Sequence, residues 1–241
     1  MSRFFVVFLL LVGVSSQIFA ISAEDLIVRM DELYRMESSQ ASMRMTIETP
    51  DWQRTLMMDT WSLGMDYTLV RITSPKKDAG IATLKRDNQM WNYFPKVRRI
   101  IKVPPSMMMG SWMGSDFTND DLVREDSLAE DYRVSLLEEE QEYMLTLIPE
   151  EKTVTVWGKI QIWIDKERLL PTKQTFFDEQ SNPVREMHFS NIRKFDDKWI
   201  PAKLELTPLT KENHKTIVEY TDLTFNIDLN ERFFSLQELK R

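Results

Sequence analysis

Residues with side chains suited to catalysis are few in kind here. The chain has two histidines, no cysteine and 38 aspartates and glutamates. His188 sits in Met187-His188-Phe189, which reads as strand, and His214 in the polar turn Lys211-Glu212-Asn213-His214-Lys215. A general base must reach a defined proton, and neither histidine has a partner in the sequence that suggests one. A protein zinc site needs three or four convergent ligands, and the histidine spacing offers none. The nucleophile elbow, zinc-protease, P-loop and dinucleotide motifs are absent. Among the carboxylates, Asp116 and Asp120 lie close together, and a carboxylate pair at the right separation hydrolyses glycosides. Both also lie near an expected helix start, where such residues serve as caps. Glu138-Glu139-Glu140 reads as a solvated hairpin turn. No catalytic residue, metal or cofactor is expected, and the chain is not read as an enzyme.

The more informative chemistry is apolar. Residues 87–122 open with Met90-Trp91-Asn92-Tyr93-Phe94, continue as a basic strand over 97–103, and stop at Pro104-Pro105. Proline lacks the donor a ladder needs and restricts the residue before it. Then follows a loop carrying Met107, Met108, Met109, Trp112 and Met113. Loops are normally polar, so such a loop must meet something apolar. Methionine suits a surface that receives an irregular apolar object, because it is unbranched and polarizable. Plugging its own core is the simpler alternative. Gly110 and Gly114 match a membrane helix-pairing motif, but they sit in a loop after two prolines, where that motif has no meaning. Lys96, Arg98 and Lys102 share one side of the basic strand if alternation holds. They would meet an anionic headgroup or an acidic partner, or merely keep an edge strand soluble.

Residues 1–20 look like a secretory signal: Arg3, an apolar run over 4–14 too short to span a bilayer, and cleavage after Ala20 or Ala23. The expected mature unit is one domain over 21–241. Without cysteine there is no disulfide framework and no site for a lipid anchor, so an exported, unlipidated periplasmic protein is expected. The formal charge of −7 argues against a nucleic-acid partner, which would favour a basic domain.

These residues need elements to position them. Ser22 with Glu24 and Asp25 predicts a helix start, and Leu26, Ile27, Met30, Leu33 and Tyr34 fall on one helical face. From Ala41 the period becomes two. Strands are expected over 41–48, 54–63, 66–73, 81–85, 89–94, 97–103, 132–137, 143–148, 153–164, 170–177, 184–193, 199–207 and 216–225, with a short helix over 116–125. Short, regular spacing points to a single antiparallel meander, mainly β. Several strands are apolar on both faces, as at Met57/Met58 and Met90/Trp91, so something apolar covers the second face, and the helices are the available candidates.

Two segments carry a resemblance. Met90-Trp91-Asn92-Tyr93-Phe94-Pro95 followed by Val97-Arg98-Arg99-Ile100, and Met113-Gly114-Ser115-Asp116-Phe117-Thr118-Asn119-Asp120-Asp121-Leu122, resemble segments of the LolA/LolB-like superfamily. The match is to its outer-membrane lipoprotein-sorting branch, first described as an uncharacterised treponemal domain. The resemblance implies an incomplete β-barrel curved around a hydrophobic cavity and closed by helices. It also implies a monomeric carrier of acylated lipoproteins or lipids, a chaperone acting in outer-membrane biogenesis. The expected cavity or lid residues are Trp91, Tyr93, Met107, Met108, Met109, Trp112 and Met113, with Lys96, Arg98 and Lys102 at a headgroup or partner. The best-known carrier has an arginine-proline pair after a strand tryptophan, whose arginine latches the lid. Here Trp61 is followed by Ser62-Leu63-Gly64-Met65, so that latch is missing. The implied partners are a lipoprotein-releasing ABC transporter or an RND-type exporter of hydrophobic compounds, and an outer-membrane acceptor. An adaptor of such an exporter is the alternative role.

Overall fold

A computed structural model describes residues 21–34, 36–124, 128–153 and 155–241. The expected signal, 1–20, lies outside them. Helix α1 (Ala23–Asp31) starts where its capping residues put it. The Ser22 hydroxyl accepts from the Asp25 amide at 3.0 Å, and the Asp25 carboxylate accepts back from the Ser22 amide. Its apolar stripe buries Leu26 and Ile27.

Thirteen strands follow: β1 (Ser38–Glu48), β2 (Gln53–Leu63), β3 (Tyr67–Ser74), β4 (Ala82–Arg86), β5 (Gln89–Phe94), β6 (Arg99–Lys102), β7 (Tyr132–Glu138), β8 (Glu142–Pro149), β9 (Lys159–Asp165), β10 (Pro171–Phe177), β11 (Pro183–Phe195), β12 (Lys198–Pro208) and β13 (Lys215–Phe225). They form one antiparallel sheet in the order β6-β5-β4-β3-β2-β1-β13-β12-β11-β10-β9-β8-β7. Two meanders therefore meet where β1 pairs with β13. The two free edges, β6 and β7, are consecutive in sequence. The segment joining them, 103–131, contains α2 (Asn119–Arg124) and α3 (Leu128–Asp131). Its described residues Val103, Met108, Trp112, Phe117, Leu122 and Leu128 pack on the inner face of the sheet, along with α1. This is the open, helix-covered sheet that the resemblance implies.

Period-two alternation sorts the side chains. On the inner face, Met45, Met58, Val70, Met90, Met187, Leu204 and Val218 join one core with Trp112. Leu145, Leu147, Ile160, Ile162 and Phe176 join another with Leu26 and Ile27 of α1. The second apolar face needs a different explanation from the one expected. Helices cover the inner face, whereas the outer face of β2–β6 is covered by the C-terminal residues 226–241. Phe234 and Leu239 are fully buried there against Leu69, Ala82 and Leu84. Phe233 and Phe234 make tilted ring contacts with Trp61 and Tyr67 at 5.7 and 5.5 Å.

Three expected elements are shorter in the structure. The basic strand begins at Arg99, because residues 95–98 form a turn that puts Arg98 at φ 52°. Lys96 and Arg98 thus lie in a turn and do not alternate with Lys102. The strand expected over 153–164 starts only at Lys159; of its early part, Val154 lies outside the described residues. Gly158 donates its amide to Phe177 and lies so close to Asp178 that an added Cβ would come 2.4 Å from that carbonyl oxygen. The helix expected over 116–125 starts at Asn119, and residue 125 is outside the described set.

Candidate functional site

Between the inner face and the helices lies a cavity of about 240 Å³. Met43, Met45, Met58, Val70, Met187 and Phe189 are among the side chains that line it, so its middle is apolar and rich in methionine. Its volume falls just short of the roughly 300–1,000 Å³ of drug-sized ligand sites, which suits a slender ligand or one that shifts the cover slightly. The polar lining comes from the sheet and from the helices. Ser39, Ser62 and Thr68 come from β1–β3, while Asp31, Asp120, Asp121 and Asp131 are carried by the helices and Arg185 by β11.

The cover is fixed by polar contacts at several points. Arg185 on β11 donates from both terminal nitrogens to the Asp121 carboxylate, at 2.7 and 2.6 Å. This bidentate pair is almost wholly buried, and charge-assisted pairs of this geometry are among the stronger hydrogen bonds. The guanidinium also lies over the rings of Phe176 and Trp157, at 3.9 and 4.3 Å from their centroids. Asp121 accepts from the Thr118 amide as well, so one carboxylate both caps α2 and ties it to the sheet. The Trp112 indole donates to the Thr83 hydroxyl at 3.1 Å, and that hydroxyl donates to Asn92 at 2.6 Å. Asp116 binds the Thr216 hydroxyl at 2.8 Å, with Lys211 and His214 each 3.9 Å away. Asn119 holds the methionine loop through the Met107 and Gly110 carbonyls. On the α1 side, the Ala129 amide donates to Asp31, joining α3 to α1.

The structure separates the residues that the sequence groups together. Trp112 lines the cavity and is 3% exposed. Met108 and Met113 pack against the same core. Met107 and Met109 face solvent, at 61% and 42% exposure. Trp91 and Tyr93 lie on the outer face, in the cluster under the C-terminal segment. Alternation is the reason: in β5, Met90 and Asn92 take the inner face, so Trp91 and Tyr93 must take the outer one. Lys102 also faces outwards, donating to Gln89 and lying 5.5 Å from the Trp91 ring centroid.

The carboxylates are also divided. Asp116 is used at β13, whereas Asp120 lines the cavity. His188 is on the outer face, 3.6 Å from Glu186. Among the described residues no group of three metal-binding side chains gathers, and no helix is long and apolar enough to cross a membrane.

Two features of the site were not anticipated from sequence. Met43 and Met45 of β1, Met58 of β2 and Met187 of β11 come from three strands, and only the sheet order joins them. Arg185 and Asp121 are 64 residues apart; a lone arginine among strand residues gives no sign of its partner.

A family model described as "-like: Uncharacterized protein" matches residues 64–241. No curated protein matches the chain. Solved structures share the fold. A DUF1329 family protein from Desulfovibrio piger superposes with a TM-score of 0.81 at 23% identity, over 90% of this chain and 97% of that one. A proposed outer membrane lipoprotein-sorting protein domain from Vibrio parahaemolyticus gives 0.77 at 25% identity, over 91% and 98%. A LolA superfamily protein from Nitrosomonas europaea gives 0.76 at 21% identity, over 91% and 100%.

Proposed function

The chain belongs to the uncharacterised-protein family whose model spans residues 64–241 and has the LolA-like fold, and from that premise we propose that it is a periplasmic, non-enzymatic carrier. It holds acyl chains of lipoproteins or lipids in the cavity for transfer towards the outer membrane. The observation that carries this reading is an apolar cavity kept open beneath a cover that polar contacts secure. Binding would come from burial of the chain, at about 0.8 kcal/mol per methylene. Release requires no reaction. It requires α2 to lift from Arg185, or an acceptor with greater affinity. The Vibrio parahaemolyticus neighbour, described as a lipoprotein-sorting domain, supports the same cargo class.

The Arg185–Asp121 pair supplies the hold on the cover that the sequence lacks after Trp61. A fluorescent fatty-acyl probe should bind the delipidated protein at one per chain and be displaced by an acylated peptide. Absence of saturable probe binding would overturn the carrier role.

A partner-docking role has its own support. Val97, Met107 and Met109 are exposed, as are the basic residues Lys96, Arg98 and Arg99, and exposed apolar and basic side chains of this kind suit an exporter or other acidic partner. Photo-crosslinking from position 107 in cells should trap an inner-membrane protein; no specific product would count against this contact.

A further inference from the structure

We propose that a groove beside α1 is a second binding site, and that it takes the extended polypeptide that follows an acylated residue whose acyl chain lies in the cavity. This rests on the carrier reading above and names what the ligand carries outside the cavity.

The groove encloses about 1,100 Å³. Its walls are α1 with the residues just after it, the β9–β10 turn, and the end of the β11–β12 hairpin. The sheet is stepped here. β10 pairs with β11 only as far as Lys173 and His188, whereas β11 runs on beside β12 to Phe195. Four consecutive residues of β11, Phe189 to Ile192, line the groove. One face of a strand presents only alternate residues, so a consecutive run means that the groove follows the strand's edge. Residues 190–194 are exposed, and among the described residues their backbone has no hydrogen-bond partner outside the β12 ladder. Backbone groups along such an edge give and accept hydrogen bonds with an extended peptide. Asn191, at φ 55°, breaks the regular strand geometry, so a few local bonds are expected and not a complete added strand.

Two further observations favour a polypeptide in this position. First, the groove adjoins the cavity, because Leu33, Pro171 and Phe189 line both. Neither Arg185 nor Asp121 lines the groove, so a ligand that emerges here leaves that pair closed. Second, the lining is mixed in character. Val28, Ile192 and Trp199 are exposed apolar positions in it. Its charged residues are four carboxylates and three cations, and of the cations Arg29 already donates to the Leu169 carbonyl. An anionic lipid head calls for concentrated positive charge. Mixed charge with apolar contacts suits a polypeptide.

The test uses the delipidated protein and three probes with the same twelve-carbon chain: an N-dodecanoyl hexapeptide, N-dodecanoylglycine and dodecylphosphocholine. Calorimetry would compare the wild type with the Val28→Gln/Ile192→Gln double variant, whose folding is checked by circular dichroism. The wild type should bind the acylated hexapeptide about tenfold more tightly than either other probe, the scale of a few net hydrogen bonds. The variant should lose most of that preference while binding N-dodecanoylglycine as before. On the wild type, a hexapeptide with a photoreactive second residue should crosslink to residues 28–34 or 189–192. Equal binding of all three probes, a variant that keeps the preference, or a crosslink confined to α2 would overturn the groove site and leave the carrier reading standing. Tighter binding of dodecylphosphocholine than of the hexapeptide would overturn it in favour of a lipid head. Failure of every probe to bind would remove the carrier reading and this inference with it.

Discussion

Leu69 and Val70 are neighbours on β3 and similar in chemistry, yet they face two different interiors. Leu69 points outwards into a filled cluster, where Phe234 and Leu239 are fully buried. Val70 points inwards and lines a cavity. The outer face is sealed by a segment of the chain's own apolar side chains. The inner face is roofed instead by helices fixed through Arg185–Asp121, Trp112–Thr83 and Asp116–Thr216. Protein interiors pack to near-crystalline density when nothing prevents it, as the outer face does. Polar anchors let the cover sit at a set height without filling the space below, and such contacts can be exchanged for water when the cover lifts.

The strongest test of the filled side is Phe234→Ala. It should cost about 3–5 kcal/mol, the range for aromatic truncation in a packed core, measured by urea unfolding. Acyl-probe binding by the remaining folded protein should be unchanged. Asp121→Ala should have the next largest effect, about 1.5–3 kcal/mol, because it leaves Arg185 buried without its acceptor unless α2 lifts. Amide exchange should then accelerate in α2 and leave β3 protected. Uniform acceleration would mean that the cover is not a separate unit.

The comparison sharpens with one substitution made on each face. Leu69→Phe overfills a packed region and should cost about 1–3 kcal/mol. Val70→Phe grows into open space and should cost less than about 1 kcal/mol, while abolishing probe binding. Equal costs would show that the inner face is as full as the outer. The smallest effect is expected for Met107→Ser and Met109→Ser, within about 0.5 kcal/mol as for ordinary surface positions, with probe binding retained. A large loss of binding would place these side chains in the cavity after all.

Much of the fold could be read from alternation and turn residues. Ser22 and Asp25 mark the start of α1, and the strand pattern from β1 to β13 reflects one face buried after another. The site was harder to locate, for two physical reasons. A greasy segment shows that it buries apolar surface but not on which side. Trp91 and Met90 differ by one residue and hence by a whole face, and only the covering C-terminal segment decides which face is filled. Arg185 and Asp121 meet because β11 crosses beneath α2, and local propensity carries no trace of a contact so distant in sequence. The turn at Lys96 and Arg98 looks like strand in the sequence, because charge pattern alone does not reveal the positive φ of Arg98.

The central claim is that the inner face is hollow in order to hold an acyl chain. The most direct measurement is intact-mass analysis of the protein purified gently from a periplasm, followed by lipid extraction. One acylated molecule per wild-type chain, absent from Val70→Phe, is the predicted result. An empty mass for both proteins, unchanged after incubation with lipids and acylated peptides, would contradict it.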